Sequence, residues 1–199
     1  MLEQIPQFPQ EQTTESEKFI YCLEAVDDVE TNQVTEIQEH LAQLALQFGV
    51  ASIYKTCDTI EGLEESLNTL ILEDHHFKNY EIIYLVMTGE GNSICINEYY
   101  YSLQEIAEIF EGQLNGKILH FSNAKVVDLE EEEAQYFLDI TGAKAVSGYG
   151  NAINGVSSTP LDKIFFKLFN DDDDMFAVVE ELHQRYYQMC KLLDFRLYY

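Results

Sequence analysis

The sequence predicts an α/β fold in which a mainly parallel β-sheet is covered by helices on both faces. Short apolar runs alternate with amphipathic helical segments along the chain, as in parallel-sheet proteins. The most apolar runs are nearly continuous, as in strands buried on both faces. Two of them, 81–87 and 117–121, break abruptly into small polar residues. Strands end in this way at the carboxyl edge of a parallel sheet, where α/β proteins bind ligands.

The first half of the chain begins with a segment that has little to bury. Residues 1–17 are mostly Gln, Glu, Pro and Thr, which predicts a flexible tail, and a single domain is expected over 18–199. Apolar residues at three- and four-residue spacing indicate helices, and compact apolar runs indicate strands. The predicted elements are a strand at 18–24, a helix at 31–48 capped by Gly49, a strand at 50–56, a helix at 60–73, a central strand at 81–87 and a hairpin arm at 92–97.

The second half continues the alternation and contains two acidic runs. The predicted elements are a helix at 103–110, a strand at 117–121, a helix from about 128 to 141, a strand at 143–147, helices at 160–169 and 175–193, and a last strand at 195–199. Asp128 and Glu131 have the spacing of a capping box. The runs Glu130–Glu133 and Asp171–Asp174 would lie at helix amino termini, where the helix dipole favours negative charge. They therefore predict helix starts rather than a metal site.

The charge of the chain excludes some partners. With 36 acidic and 11 basic residues, the formal net charge is −25, which repels phosphate backbones and anionic membranes. We therefore expect neither nucleic-acid nor membrane binding; a solvated surface, a basic protein partner or mimicry of nucleic acid remain open. There is no apolar run long enough to span a bilayer and no signal-peptide pattern, which favours the cytoplasm. The four Cys are far apart and are expected to be buried thiols, with no metal or cofactor.

Five segments, taken in order, resemble the caspase-like fold of caspases, gingipains, separase and CHAT domains, and more closely small prokaryotic proteins related to CHAT domains. They are Phe19–Glu24, Leu85–Gly89 with Ile94–Ile96, Leu119–Ala124, Ala145–Tyr149 and Leu193–Tyr198. The resemblance covers about residues 18–199. It implies a three-layer sandwich with a mainly parallel central sheet.

The same resemblance implies where catalytic residues would stand. In caspase-like peptidases one strand ends in His-Gly and a neighbouring strand delivers the nucleophilic Cys. The matching residues here are Thr88-Gly89 and Ala124. Thr cannot shuttle a proton at neutral pH, and Ala has no nucleophilic atom. The resemblance thus implies a pseudopeptidase that binds or regulates another protein. Its vestigial active-site positions and binding mouth would comprise Thr88, Gly89, Ser122, Asn123, Ala124 and Tyr149, beside a loop at 149–159.

Two other functions stay open. A hydrolase with relocated residues would use Ser122 or Asn123 at the same strand end, or Asp58 after the second strand, but the sequence places no base beside them. His120 falls at a position for core packing. His75-His76 are adjacent and would point in different directions on a helix, which disfavours a metal site there. The third function is an acidic interaction or nucleic-acid-mimic protein, whose binding would weaken steeply with salt.

Overall fold

A computed structural model describes residues 19–30, 34–153 and 155–199. The tail predicted for residues 1–17 lies outside these ranges. The elements in chain order are β1 (Phe19–Ala25), α1 (Glu36–Phe48), β2 (Ala51–Cys57), α2 (Ile60–Glu73), a 3₁₀ turn (Phe77–Asn79), β3 (Tyr80–Val86), β4 (Thr88–Glu90), β5 (Ser93–Ile96), β6 (Tyr99–Ser102), α3 (Leu103–Ile109), β7 (Ile118–Lys125), α4 (Glu131–Thr141), β8 (Ala145–Tyr149), α5 (Thr159–Asp171), α6 (Met175–Leu193) and β9 (Phe195–Tyr198).

The central sheet has six strands in the order β2-β1-β3-β7-β8-β9. The pairings from β2 to β8 are parallel, and β9 pairs antiparallel with β8 at the edge. Strands β4, β5 and β6 form a separate antiparallel sheet. Because β3 runs almost directly into β4, this small sheet projects from the carboxyl edge of the central one.

Helices cover both faces of the central sheet, and each face has its own core. On one face α2, α3 and α4 contribute Leu63, Ile106 and Phe137 to a cluster beneath Leu23 and Leu85. On the other face α1, α5 and α6 contribute residues such as Leu41, Phe165 and Leu182. Alternate strand residues enter alternate clusters, as the period of two requires. The predicted α/β class with helices on both faces is confirmed.

Several helix ends follow the predicted chemistry. Gly49 and Gly142 adopt left-handed φ angles of 71° and 74° after α1 and α4. Asp174 caps α6 by accepting a hydrogen bond of 2.9 Å from the Phe176 amide. The predicted acidic run is only partly at this amino terminus, because Asp171 is the last residue of α5 and Asp172 is the carboxyl-terminal cap of that helix. Within the described ranges, no helix has both the length and the apolar character needed to cross a bilayer.

Two predicted details are wrong, and strand β6 was missed. The amino-terminal cap of α4 is Glu130, whose amide donates to Glu133 Oε2 at 2.8 Å, and not Asp128. Buried Val126, Val127 and Leu129 keep this stretch extended, and Asp128 pairs instead with Arg196 at 2.6 Å. Helix α1 begins at Glu36 after the cap Thr35, five residues later than the predicted start at residue 31. Strand β6 was not predicted, because its tyrosines show no apolar alternation.

Candidate functional site

Two chain segments meet at the carboxyl edge of the central sheet. The register of β3 with β7 pairs Val86 with Ser122. Two residues later on each strand come Thr88, where β4 begins, and Ala124, within β7. Strands β4 and β7 are in contact, so the turn that bears Thr88 lies beside the end of β7. The structure therefore brings together the two segments that the caspase-like resemblance singled out. The side chains of residues 123–125, and so of Asn123 and Ala124, lie outside its description.

Thr88 and Gly89 have different surroundings. The Thr88 side chain is exposed, while Gly89 is half-buried where the hairpin folds back. A Cβ atom on Gly89 would overlap the carbonyl oxygen of Ser93 and would lie 3.0 Å from Val126 Cγ2. Gly89 is therefore required by the close approach of β5 and of the segment that follows β7.

Substituting Gly89 with Ala is expected to lower the free energy of unfolding by about 1–3 kcal/mol. The new methyl group would overlap backbone atoms of β5, which can move only if the hairpin is distorted. Chemical denaturation monitored by circular dichroism measures the change. The neighbouring Thr88→Ala variant, at an exposed side chain, serves as the control and should stay within about 0.5 kcal/mol of the parent. Equal stability of Gly89→Ala and the parent would contradict the close packing of this turn.

A buried polar cluster lies beneath this edge, and we call it the Asp162 cluster. At its centre the Asp162 carboxylate, on α5, is 1% exposed. His120 Nε2 lies 2.8 Å from Asp162 Oδ1, and the Tyr84 hydroxyl donates to Oδ2 at 2.7 Å. The hydroxyls of Ser122 and Tyr149 also donate hydrogen bonds to this carboxylate. The members of the cluster are Tyr84, His120, Ser122, Ser147, Tyr149, Ser158 and Asp162.

The cluster strongly perturbs two hydroxyl groups. Burial raises the pKa of Tyr84 and of Tyr149 well above the ordinary value, and the charge of Asp162 raises both further. Several donors converging on one carboxylate offset the cost of burying that charge. The cluster thus links α5 to β3, β7 and β8 through polar contacts that the surrounding aromatic rings shield from water.

Ser147, His120 and Asp162 follow one another in the order of a serine-hydrolase triad, but the two ring nitrogens of His120 are exchanged, because a triad places Nε2 toward the Ser and Nδ1 toward the Asp. Ser147 Oγ lies 2.8 Å from His120 Nδ1, and the other ring nitrogen faces the carboxylate. All three side chains are at most 1% exposed, within the core on the α5 face. A substrate carbonyl therefore has no open path to Ser147 Oγ in this conformation.

The structure does not bring the other candidate residues from the sequence together in one site. Ser122 and Tyr149 are buried in the Asp162 cluster, at the base of the carboxyl edge. Asp58 follows β2, which two strands separate from β7. The four cysteines carry free thiols, and three of them are buried. In the part of the chain that the structure describes, no three His, Cys, Asp or Glu side chains are grouped to hold a metal ion.

Sequence reasoning missed Asp162. Its only local signal is an acidic residue that shares a helix face with Phe165, Phe166 and Phe169 at helical spacing. An unpaired charge on such a stripe would be costly, so it requires a partner across the core.

Residues 17–199 match the family of unknown function DUF6642. The chain belongs to this family. Among solved structures, it is similar to the initiator caspase Dronc of Drosophila, with a TM-score of 0.50 and 10% identity over 84% of this chain and 72% of that one. At this identity the likeness shows the fold alone, and it confirms a caspase-like architecture. Among curated proteins no significant match was found.

Proposed function

We propose that this DUF6642 member is a catalytically inactive caspase-like domain of prokaryotic CHAT-related type, which binds or regulates another protein in the cytoplasm. The observation that carries the proposal is the residue type at two positions of the carboxyl edge. Thr88 and Ala124 stand where the resemblance requires a catalytic His and Cys, and β4 and β7 lie together there. A Thr hydroxyl cannot replace His as the general base, and the methyl group of Ala cannot replace Cys as the nucleophile.

The exposed turn at Thr88, with the end of β7 and the loop 149–159, would form the binding mouth. Ser122 and Tyr149 would support it from below through the Asp162 cluster. A pseudoenzyme can keep such a surface because the backbone geometry of the edge survives the loss of the catalytic side chains. The partner would be a protein, since the charge of −25 disfavours nucleic acids and anionic membranes, and no cofactor is needed.

A relocated hydrolase is the second candidate, favoured by the chain of hydrogen bonds through Ser147, His120 and Asp162. We expect the purified protein to cleave no member of a proteome-derived peptide library and to resist labelling by a fluorophosphonate. Cleavage or labelling that disappears in Ser147→Ala or Ser122→Ala would refute inactivity and support this candidate. Cleavage that persists in both variants would come from a contaminating peptidase.

The binding function predicts that a bulky cation at the mouth disrupts partner capture. Thr88→Arg is compared with Thr69→Arg, a change of the same residue type at an exposed position. Helix α2 leads back from the carboxyl edge, which places Thr69 toward the opposite end of the sheet. In cross-linking and quantitative mass spectrometry from the producing cells, partners should be lost with Thr88→Arg and retained with Thr69→Arg. Equal recovery with both variants would contradict a binding role for this turn.

A further inference from the structure

A surface groove lies between β9, at one edge of the central sheet, and the first half of α6. We call it the β9 groove, and its volume is about 360 Å³, within the range of roughly 300–1,000 Å³ that ligand sites occupy. One wall is a face of α6 that presents Phe176, Val179 and His183 at helical spacing. The other wall consists of residues 195–199, all of which line the groove. The side chains of Phe176 and Tyr199 are 64% and 71% exposed, so the groove leaves apolar surface in contact with solvent.

The shape of the β9 groove fits an extended chain. Neighbouring residues of a strand point to opposite faces of a sheet, so a groove lined by five consecutive residues reaches the free edge of β9 and is not confined to one face. Five strand residues span about 17 Å. In the part of the chain that the structure describes, no strand pairs with β9 on the side away from β8. Alternate N–H and C=O groups of β9 therefore face outward and can hydrogen-bond to an added strand.

The β9 edge lacks the residues that commonly block strand addition. Natural sheets often protect their edges with Lys or Pro. The strand at the opposite edge, β2, carries Lys55 with an exposed side chain. Residues 195–199 contain neither Lys nor Pro. Their one charged side chain, Arg196, pairs with Asp128 at 2.6 Å and with Asp194 at 2.7 Å, so it is held within this protein.

The charges around the groove select the kind of strand that can be added. A second copy of this chain would bring another charge of −25 to the same edge, and the two charges would repel. Arg196 lies on the face of β9 opposite to α6, and together with Asp128 and Asp194 it carries one net negative charge. An added strand alternates its side chains between the two faces. Apolar side chains therefore suit the α6 face, and Lys or Arg suits the other.

We propose that the β9 groove binds an extended segment of a basic partner protein as an added β-strand. Its apolar side chains would pack against Phe176 and Val179, and its alternate Lys or Arg side chains would lie beside Asp128 and Asp194. Backbone hydrogen bonds to β9 supply affinity in this mode of recognition, and the side-chain positions supply specificity. The inference goes beyond the proposed function, because the binding mouth at Thr88 does not line this groove.

The test is a nuclear magnetic resonance titration of the full chain with the peptide acetyl-Val-Lys-Val-Lys-Val-amide. We expect amide shifts concentrated in residues 195–199 and at Phe176, with slower hydrogen exchange at alternate amides of β9. The peptide with Glu in place of both Lys should bind at least about tenfold more weakly. Only alternate N–H groups of the peptide can face β9. N-methylation of the central Val and N-methylation of the first Lys should therefore differ, one abolishing binding and the other sparing it.

Two variants at exposed apolar side chains test the α6 wall. Phe176→Ala should weaken binding about three- to tenfold, because it removes apolar surface that the peptide would cover. Leu72→Ala is the control, since Leu72 is 79% exposed on α2, which covers the opposite face of the sheet, and it should leave binding unchanged. Thr88→Arg should still bind the peptide, which separates the β9 groove from the mouth.

Several outcomes would overturn the proposal. They are the absence of shifts along β9, equal binding of the Glu peptide, equal effects of the two N-methyl groups, and equal losses in Phe176→Ala and Leu72→Ala. Sedimentation velocity and hydrogen exchange of the free protein test the other occupants. A dimer whose β9 amides are already protected would place a second copy at this edge, and a monomer with the same protection would place another segment of this chain there. Either result would refute binding of a partner strand.

Discussion

Replacing Asp162 with Ala is expected to lower the free energy of unfolding by about 3–5 kcal/mol, the size typical of breaking a buried charge network on one side. The carboxylate is the common acceptor of the cluster, so its removal strands buried donors that no water can reach. The side chains left without it are Tyr84, His120, Ser122, Tyr149 and Ser158. Urea denaturation followed by circular dichroism measures the loss.

A matched control lies on the same helix. Asp171, also on α5, is exposed and pairs with Lys167 four residues earlier. Asp171→Ala should cost at most about 0.5 kcal/mol, because solvent screens an exposed ion pair. If Asp162→Ala cost no more than this control, the cluster would contribute nothing to stability. A double-mutant cycle of Asp162→Ala with Tyr149→Phe should be clearly non-additive, since both changes remove the same hydrogen bond.

The stability of this cluster bears on the proposed binding mouth. Ser122 lies directly before Asn123 and Ala124 in β7, and its hydroxyl is held by Asp162 and by Ser158 at 2.8 Å. Ser158 in turn ends the loop that follows β8. The Asp162 cluster therefore holds both the end of β7 and the end of the loop that follows β8. A surface built on such a rigid base loses little conformational entropy on binding.

Much of the fold could be predicted because its signals are local. The runs that form β1, β3 and the first half of β7 are mostly apolar, and the left-handed Gly caps terminate α1 and α4 where the sequence indicates. The predicted cap of α4 was wrong because two pairs, Asp128 with Glu131 and Glu130 with Glu133, both have the spacing of a capping box. Only the packing of neighbouring residues decides between them. Buried Val126 and Val127 hold the chain extended past Asp128. Strand β6 depends on pairing with β5, which periodicity alone does not reveal.

The site was less predictable, because its contacts are distant in sequence. His120 is buried, as its position in an alternating strand predicted, but its partner Asp162 is 42 residues away. Ser122 stands at the predicted strand end, yet its hydroxyl turns toward α5. Whether an end residue faces solvent or a covering helix depends on how far that helix extends over the edge. No spacing within β7 specifies this.

The second large effect concerns alkaline pH and the two buried tyrosines. In the folded protein the pKa of Tyr84 and of Tyr149 is raised well above the ordinary value, first by burial and then by the charge of Asp162. In the unfolded chain both ionise near about pH 10. Their contribution to stability is therefore fully present below about pH 10, and it is lost as the pH rises further, because unfolding then releases protons.

Each tyrosine should steepen the loss of stability by about 1.4 kcal/mol per pH unit above about pH 10, or about 2.7 kcal/mol per unit for the pair. Urea denaturation from about pH 8 to about pH 11 gives the slope, and Tyr149→Phe should remove half of the contribution of the pair. The Tyr149→Phe change also lowers the free energy of unfolding by an amount that does not depend on pH. Comparing the slopes of this free energy against pH, rather than its absolute values, removes that amount. Buried thiols such as Cys22 add a similar dependence, but they add it equally to the parent and the variants.

Tyr99→Phe, at a side chain that is 67% exposed, is the control for the removal of one tyrosine hydroxyl. If Tyr149→Phe left the slope unchanged, Tyr149 would already be ionised in the folded protein or would be open to water. The first result would contradict the hydrogen bond from its hydroxyl to Asp162, because an ionised oxygen has no proton to donate. The second would contradict the burial of its side chain, which is 1% exposed. The pH dependence thus tests the donor direction within the cluster, which Asp162→Ala alone does not resolve. A slope reduced by about 1.4 kcal/mol per pH unit would mean that Tyr149 stays protonated as a donor to the Asp162 carboxylate.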